Sequence, residues 1–306
     1  MTTNDLTRGP IPLRPMNLGD LLDGAVRLFV ANWRPLLLTV GVVVVPLQLL
    51  SAFLQRDQPR LGLFQLFTDP TALERLAQQG SLASPGQQTA SLAGLVLLLF
   101  LPVLVGAVCL VVGRSYLGQP VDWRAALRTA GGRFGSLLGA TILVSLLVAS
   151  LFLPAFALFV AAIVAQSGGL VALGFLLLLG GIVGVVIVSS LYVAVAPAVV
   201  TEGIGPVAAM RRSWRLRRPR LWPTVGVVLV TWLFTGVISL IVGVVTSGIA
   251  AGLGGPFAWV LTGIGGLLGQ LVGIPLGAIV ATLLYFDGRI RQEGLDLQMM
   301  AADLDR

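Results

Sequence analysis

The chain has 306 residues, of which 56% are hydrophobic and only 11% charged, with a net charge of +7 and a mean hydropathy of +0.95. A water-soluble domain carries about 25% charged residues to keep its surface wet. This composition therefore excludes a soluble enzyme, a disordered chain and a coiled coil, and leaves an integral membrane protein. Every one of the 20 basic residues is Arg, His is absent, and Cys109 is a lone cysteine inside an apolar run. Imidazole catalysis, a His-bound or thiolate-bound metal and a disulfide framework are excluded with them.

The first 15 residues are polar and rich in proline (Pro10, Pro12, Pro15), and they predict a disordered tail without a cleavable signal. An amphipathic helix follows, with Asn17 placed to cap it. Leu18, Leu21, Leu22, Ala25, Phe29 and Trp33 share one face, opposite Asp20, Asp23, Arg27 and Arg34. Charge-free runs then cover about 35–54, 91–113, 135–165, 170–200, 223–251 and 257–286. A helix crosses the ~30 Å hydrocarbon core in about 20 residues, so these runs predict six transmembrane helices, the first an uncleaved anchor. The last four runs hold about 30 residues, roughly 45 Å of straight helix, and must tilt or kink. Pro46, Pro102, Pro154, Pro197 and Pro275 interrupt five of the six. In the loop 55–90, Asp69-Pro70 predicts a short helix to about Gln79, and the Gln/Ser/Gly-rich stretch 78–91 predicts disorder.

Charge is partitioned between the connections. Of the 20 Arg, 17 fall on one side: four before the first span, four in 114–134, six in 201–222 and three after Asp287. The turns 166–169 and 252–256 carry no charge, and the loop 55–90 sums to zero. The positive-inside bias places both termini in the cytoplasm. The organisation read from this is a cytoplasmic tail 1–15, one six-helix membrane domain over 16–291, and a cytoplasmic tail 292–306. The fold class is all-α, a polytopic bundle with interfacial helices on its cytoplasmic side.

Each cytoplasmic connection ends in an amphipathic segment that enters a span. Asp122 predicts a cap for the second, and Pro206 opens the third. A shift of 101 residues lays Ala25-Val26-Arg27 on Ala126-Leu127-Arg128, Trp33 on Phe134 and Leu36-Leu37 on Leu137-Leu138. Arg215 and Trp222 repeat the spacing one residue longer, which predicts three units of surface helix plus hairpin. In the third segment Val207, Met210 and Trp214 are read as the apolar face. Arg211, Arg212, Arg215, Arg217, Arg218 and Arg220, with Trp214 and Trp222, form a candidate lipid-headgroup and interfacial site. Lying between two spans, this cluster faces anionic lipid of the cytoplasmic leaflet rather than nucleic acid. A protein partner docking there is compatible.

Within the spans the pattern is one of small residues. Gly265, Gly269, Gly273 and Gly277 recur every four residues, with Thr262 and Gly266 near the same line. Thr224, Thr231, Thr235, Ser239 and Thr246 fall within about 80° of arc on the preceding helix. Shorter repeats occur at Gly131/Gly135/Gly139 and Gly180/Gly184. Such stripes let helix backbones approach closely; the alternative is a polar-lined cavity holding Gln270. The spans contain no ionisable residue, which opposes ion-coupled transport. No cofactor, metal ligand or catalytic residue is predicted. At the span ends Arg114, Glu202, Asp287 and Arg289 predict a clasp, through an Arg114–Glu202 or Arg289–Glu202 pair.

Three stretches carry a family likeness: Asn17-Leu18-Gly19-Asp20-Leu21-Leu22-Asp23-Gly24-Ala25, the run from Pro197 to Trp222 with Glu202-Gly203 and Arg211-Arg212-Ser213-Trp214, and Leu284-Tyr285-Phe286-Asp287-Gly288-Arg289-Ile290-Arg291 followed by Glu293-Gly294-Leu295-Asp296. Together they resemble the bacterial glycerophosphoryl diester phosphodiesterase membrane-domain family over nearly the whole chain. The resemblance implies a stand-alone six-span protein, in a high-GC actinobacterium, of largely unassigned function. The phosphodiesterase barrel that gives the family its name has no counterpart here, so no catalytic residue carries over. The expectation is a non-enzymatic protein of the bacterial inner membrane, an accessory or scaffold component engaging anionic lipid or a partner protein. The alternative is a permease or lipid-handling transporter.

Overall fold

The computed structural model describes residues 18–54, 56, 85–253 and 258–294. The expected N-terminal tail, residues 295–306 of the expected C-terminal tail, the cap Asn17, the short helix from Pro70 and most of the loop 55–90 lie outside the described residues, whereas Gln292 and Glu293, assigned to that tail, continue the last helix. Among the described residues the structure is helical without strands. In chain order the helices are α1 (Leu18–Ala31), α2 (Trp33–Leu54), α3 (Pro85–Tyr116), α4 (Trp123–Gly132), α5 (Phe134–Ser150), α6 (Leu153–Ala165), α7 (Gly168–Tyr192), α8 (Val195–Glu202) and α9 (Pro206–Arg217). A 3₁₀ turn, Arg218–Arg220, leads into α10 (Leu221–Leu253), and α11 (Ala258–Glu293) follows. Five of the helical segments are long and apolar enough to cross a membrane, or six if the bent pair α4–α5 counts as one span. Their lipid-like exterior agrees with a multi-pass membrane protein: Phe156, Ile163, Val164, Leu176, Leu233 and Ile241 are all exposed.

The third and fourth apolar runs are each broken into two helices, although Gly168–Glu202 as a whole is long and apolar enough to be one span. The breaks come at Leu151–Phe152 and Val193–Ala194, directly before Pro154 and Pro197. Proline lacks the N–H that would bond four residues back, and it fits a helix at least cost in its first turn. The chain therefore restarts a helix just ahead of each. Pro46, Pro102 and Pro275 remain inside α2, α3 and α11. Pro85 sits at the start of α3, so part of the stretch expected to be disordered is helical instead.

The three-part pattern has structural counterparts. α1, α4 and α9 each precede a longer helix, and the first two breaks fall at Asn32 and Arg133, which the 101-residue shift superposes. Asn32 Nδ2 donates to Leu28 O at 3.1 Å and to Ser115 Oγ at 2.8 Å. Arg133 Nη1 donates to Val199 O at 2.9 Å and also to Val200 O. Each break residue thus spends its side chain on backbone or hydroxyl groups nearby. Asp122 caps α4 as predicted, accepting from Arg124 N at 2.9 Å. Ala25, Ala126 and Ser213 are buried, and each lies two residues before an exposed arginine, Arg27, Arg128 and Arg215.

The chain divides into two compact units. The first draws on Met1–Leu36, Pro102–Trp232 and Leu276–Arg306, the second on Leu37–Leu101 and Leu233–Pro275. In the first, the C-terminal part of α11 is the core: Ile279, Leu283, Leu284 and Tyr285 are fully or almost fully buried, as are Leu104, Ala107, Val108, Val111 and Val112 of α3. Tyr116 stacks on Phe286 with ring centres 5.1 Å apart. α6 and α7 pair through glycines that receive the facing side chains: Phe159 on Gly174, Phe152 on Gly181 and Leu151 on Gly184. Gly181, not the expected Gly180, is the packing position, and of Gly131, Gly135 and Gly139 only Gly139 is contacted, by Pro206.

In the second unit the small-residue stripes are used for packing. A Cβ at Gly265 would collide with Thr246 Oγ1, and one at Gly269 would come within 3.3 Å of Ser239 Oγ. Gln270 Nε2 donates to Gln48 Oε1 at 2.9 Å, so the two amides pair with each other inside the unit. A Cβ at Gly273, or at Gly277 in the first unit, would meet nothing within 4 Å, so the stripe makes close contacts only over its first half. On the first-unit part of α10, Thr231 is buried and donates back to Val227 O; Thr235, in the second unit, is half-buried.

Gly106 is a clear test of packing in the first unit, because an added Cβ would lie 2.9 Å from methyls of Leu137 and Val200. Gly106→Ala should destabilise the full-length protein by about 1–3 kcal/mol through overpacking. Gly131→Ala, where nothing lies within 4 Å, should be neutral or stabilise by up to ~1 kcal/mol through helix propensity. Thermal unfolding in detergent distinguishes them; equal effects would contradict this packing.

Candidate functional site

The charges that the spans exclude collect, in the first unit, where the end of α8, α9 and the end of α11 meet. α8 stops because Gly203 takes a left-handed conformation (φ 69°), with its N–H bonded to Val199 O at 3.0 Å. The last carbonyls of α8 are then free to receive the Arg133 guanidinium, a cation at the negative end of the helix dipole. Glycine serves a second purpose there, since even its hypothetical Cβ would sit 3.2 Å from Arg133 Nη2. Pro206 opens α9 after Gly205, as expected.

The centre of the cluster is Arg212. Its Nε lies 2.8 Å from Glu202 Oε1, and its two terminal nitrogens grip Glu293, with Nη2–Oε2 at 2.8 Å. A guanidinium forked onto one carboxylate and touching a second makes strong, charge-assisted bonds. Tyr285 Oη donates to Glu202 Oε1 at 2.6 Å and lies 3.0 Å from Thr201 Oγ1. Arg289 Nε bonds Glu293 Oε2 at 3.0 Å. The charge-free runs end at Phe286 and resume after Trp222, so Arg212, Arg217 and Glu293 lie outside the apolar stretches. Arg212 holds the Glu293 carboxyl below the usual glutamate range, and Glu293 in turn raises the Arg212 guanidinium.

Beside this lies a second group. Asp287 accepts from Arg291 Nε at 2.7 Å, and Arg217 Nη2 stands 4.0 Å from its other oxygen. Gln292 Nε2 donates to Leu216 O at 2.9 Å. Ser213 Oγ donates to Leu191 O at 2.6 Å and accepts from Ala194 N at 3.2 Å, fastening α9 to the break between α7 and α8. Burial pulls the Arg217 guanidinium down to about 10, against the opposing pull of Asp287.

The family model described as "Domain of unknown function (DUF7847)" matches residues 16–286. The chain belongs to this family. No curated protein and no solved structure matches it. The matched region contains Glu202, Arg212, Arg217 and Tyr285, and it ends one residue before Asp287.

In this DUF7847 protein the clasp uses different partners from those expected. Glu202 pairs with Arg212, Asp287 with Arg291 and Arg217, and Arg289 with Glu293. Neither the Arg114–Glu202 nor the Arg289–Glu202 pair forms. The predicted headgroup cluster also splits in two. Arg211, Arg215 and Arg218 are exposed together with Trp214 and Trp222, whereas Arg217 is buried and Arg212 nearly so; Arg220 is half-buried. The apolar face is corrected with it: Ala209, Ser213 and Leu216 turn inward while Val207 and Trp214 face out. Small residues let α9 lie close to its neighbours, and the bulky ones are left for the surroundings. Among the described residues no group of three or more acidic, histidine or cysteine side chains is gathered for a metal ion.

Removing Arg212 leaves two partly exposed carboxylates near one another without their shared cation. Arg212→Met should therefore cost about 1–2 kcal/mol, between an exposed ion pair and a fully buried one. Adding Glu202→Gln and Glu293→Gln should recover much of that loss, measured by thermal unfolding. Glu293, whose folded pKa is depressed, contributes stability above the ordinary glutamate value of about 4.3. That contribution should disappear as pH falls through the lower folded value, and not in Glu293→Gln. No recovery in the triple variant would contradict the role of Arg212.

Proposed function

We propose that this is a multi-pass protein of a bacterial cytoplasmic membrane, with both termini in the cytoplasm, that engages anionic lipid headgroups as an accessory or scaffold component. The observation that carries the reading is the two-sided α9. Of its inward arginines, Arg212 is consumed by the clasp and Arg217 is buried beside Asp287, while its outward ones, Arg211, Arg215 and Arg218, are exposed together with Trp214 and the 75% exposed Trp222. Guanidinium groups beside exposed indoles match the boundary where phosphates meet acyl chains. The strongly one-sided distribution of arginine supports the orientation. The resemblance to membrane domains of the glycerophosphoryl diester phosphodiesterase type fits a membrane component without hydrolase chemistry. A catalytic role has no support, because Glu202, Asp287 and Glu293 are each held by arginine. A permease is disfavoured by the use of Gly265, Gly269, Thr246 and Ser239 in packing.

An anionic surface attracts each nearby arginine by about 1 kcal/mol. Native mass spectrometry of the full-length protein released from mixed phosphatidylglycerol and phosphatidylcholine micelles should show phosphatidylglycerol retained preferentially. The triple variant Arg211→Gln, Arg215→Gln, Arg218→Gln should lose about tenfold of that preference. Equal retention of both lipids by the unaltered protein would sink the lipid reading. In a Cys109→Ala background, Arg215→Cys should resist an impermeant thiol reagent added to intact cells, and Ser167→Cys should react. The reverse pattern would overturn the orientation.

A further inference from the structure

Among the basic segments, α4 meets its following helix in a way of its own. Its axis is bent by 70° from that of α5, with the break at Arg133. By contrast, α9 and α10 belong to one helical stretch, Pro206–Ala250. The charge-free run that α5 enters begins two residues after Arg133, so the bend sits at the edge of the apolar layer. α4 holds ten residues, about 15 Å of helix. At 70° to α5 it climbs only about 5 Å along the direction of that helix. The headgroup layer of one leaflet is itself about 5–8 Å thick, so α4 stays within it for its whole length. This orientation is held from the protein side: Arg133 Nη1 is spent on Val199 O and Val200 O, and Ala126 and Ala130 are fully packed.

The face turned away from Ala126 and Ala130 carries Arg124 and Arg128, one turn apart and both exposed. Trp123 and Leu127, half-buried, form the edge beside them. The Arg124 guanidinium lies 5.2 Å from the centre of the Trp123 ring, a cation held over an amphipathic aromatic. The same dipeptide marks the other two basic segments, as Trp33-Arg34 and Trp214-Arg215, and Arg34 lies over Trp33 at 5.1 Å. Among the described residues neither Arg124 nor Arg128 has a carboxylate partner. Asp122, the acid nearest in sequence, spends its side chain on Arg124 N. The geometry points to α4 as a second anionic-headgroup site, with Arg124 and Arg128 each taking phosphate oxygens from a lipid of the cytoplasmic leaflet. It differs in kind from α9, where Arg211 and Arg218 are seven residues apart, about 10 Å along a helix that continues into α10. Those arginines meet the boundary at graded depths, whereas both guanidinium groups of α4 meet it at one depth. The proposal rests on the lipid reading above for the place of α5 in the bilayer, and it adds residues that the reading leaves out.

The test has two readouts on the full-length protein. In native mass spectrometry from mixed phosphatidylglycerol and phosphatidylcholine micelles, the double variant Arg124→Gln, Arg128→Gln should lose about tenfold of the phosphatidylglycerol preference. Its melting temperature should not change, because both side chains are exposed. The second readout is depth. In a Cys109→Ala background, nitroxides are placed at Ala125→Cys and Gly132→Cys, seven residues apart on one face, in vesicles of the same two lipids. An in-plane helix predicts nearly equal collision with an aqueous nickel chelate at both positions, well below that of a label in water. Labels at Arg211→Cys and Arg218→Cys should differ from each other. A preference unchanged in the double variant, or α4 labels as open to nickel as in water, overturns the proposal. If the Arg211/Arg215/Arg218 triple then still loses the preference, α4 alone falls and the lipid reading stands. Equal retention of both lipids by the unaltered protein removes both.

Discussion

The contact on which the charged end of the first unit depends is Arg212 between Glu202 and Glu293. These residues are far apart in sequence, on the last turns of α8 and α11 and the middle of α9. Ions removed from bulk water are stable only if their bonds are nearly complete, so the pairing fixes the three segments in one arrangement. It also fixes the rotation of α9. With Arg212, Ser213, Leu216 and Arg217 turned inward, helical geometry leaves Arg211, Arg215 and Arg218 as a stripe on the opposite face. One basic segment thereby does two different things: half of its charge holds the protein together and half is left for what lies outside.

The architecture follows from where polar backbone can be tolerated. Charge-free sequence folds as helix because every N–H must be satisfied internally. Departures from helix occur at identifiable residues. Pro154 and Pro197 restart helices, Gly203 ends one, and Asn32 and Arg133 supply side-chain donors beside their own breaks. Close approach within the second unit is made by Gly265 and Gly269 opposite Thr246 and Ser239. This is packing through small residues, which replaces the hydrophobic drive that is missing among lipid chains.

Much of this was legible in the residue order, because hydrophobic runs and capping residues act locally. The helical class, the Asp122 cap, the start of α9 at Pro206 and the small-residue contacts of α11 all rest on short-range rules. Clasp partners were not legible, since proximity to a span end does not set the direction of a side chain. Arg114 and Glu202 share a depth by residue count but not a contact. The phase of α9 was available in principle: Ala209, Ser213 and Leu216 form a small, inward stripe at helical spacing. It was obscured because the bulky Val207 and Trp214 suggest a core-facing side, and in a membrane protein bulky apolar residues also face outward. Arg217 carries no signal in sequence at all, since only Gly288, on another helix, makes room for it.

The central claim is that the α9–α10 junction lies at the lipid boundary, and the depth of Trp222 tests it most directly. In a variant keeping Trp222 and replacing the other tryptophans by Phe, the account predicts strong fluorescence quenching by lipids brominated high on their acyl chains. It predicts weak quenching by aqueous iodide. Full quenching by iodide with none by the brominated lipids would place this face in water and contradict the account.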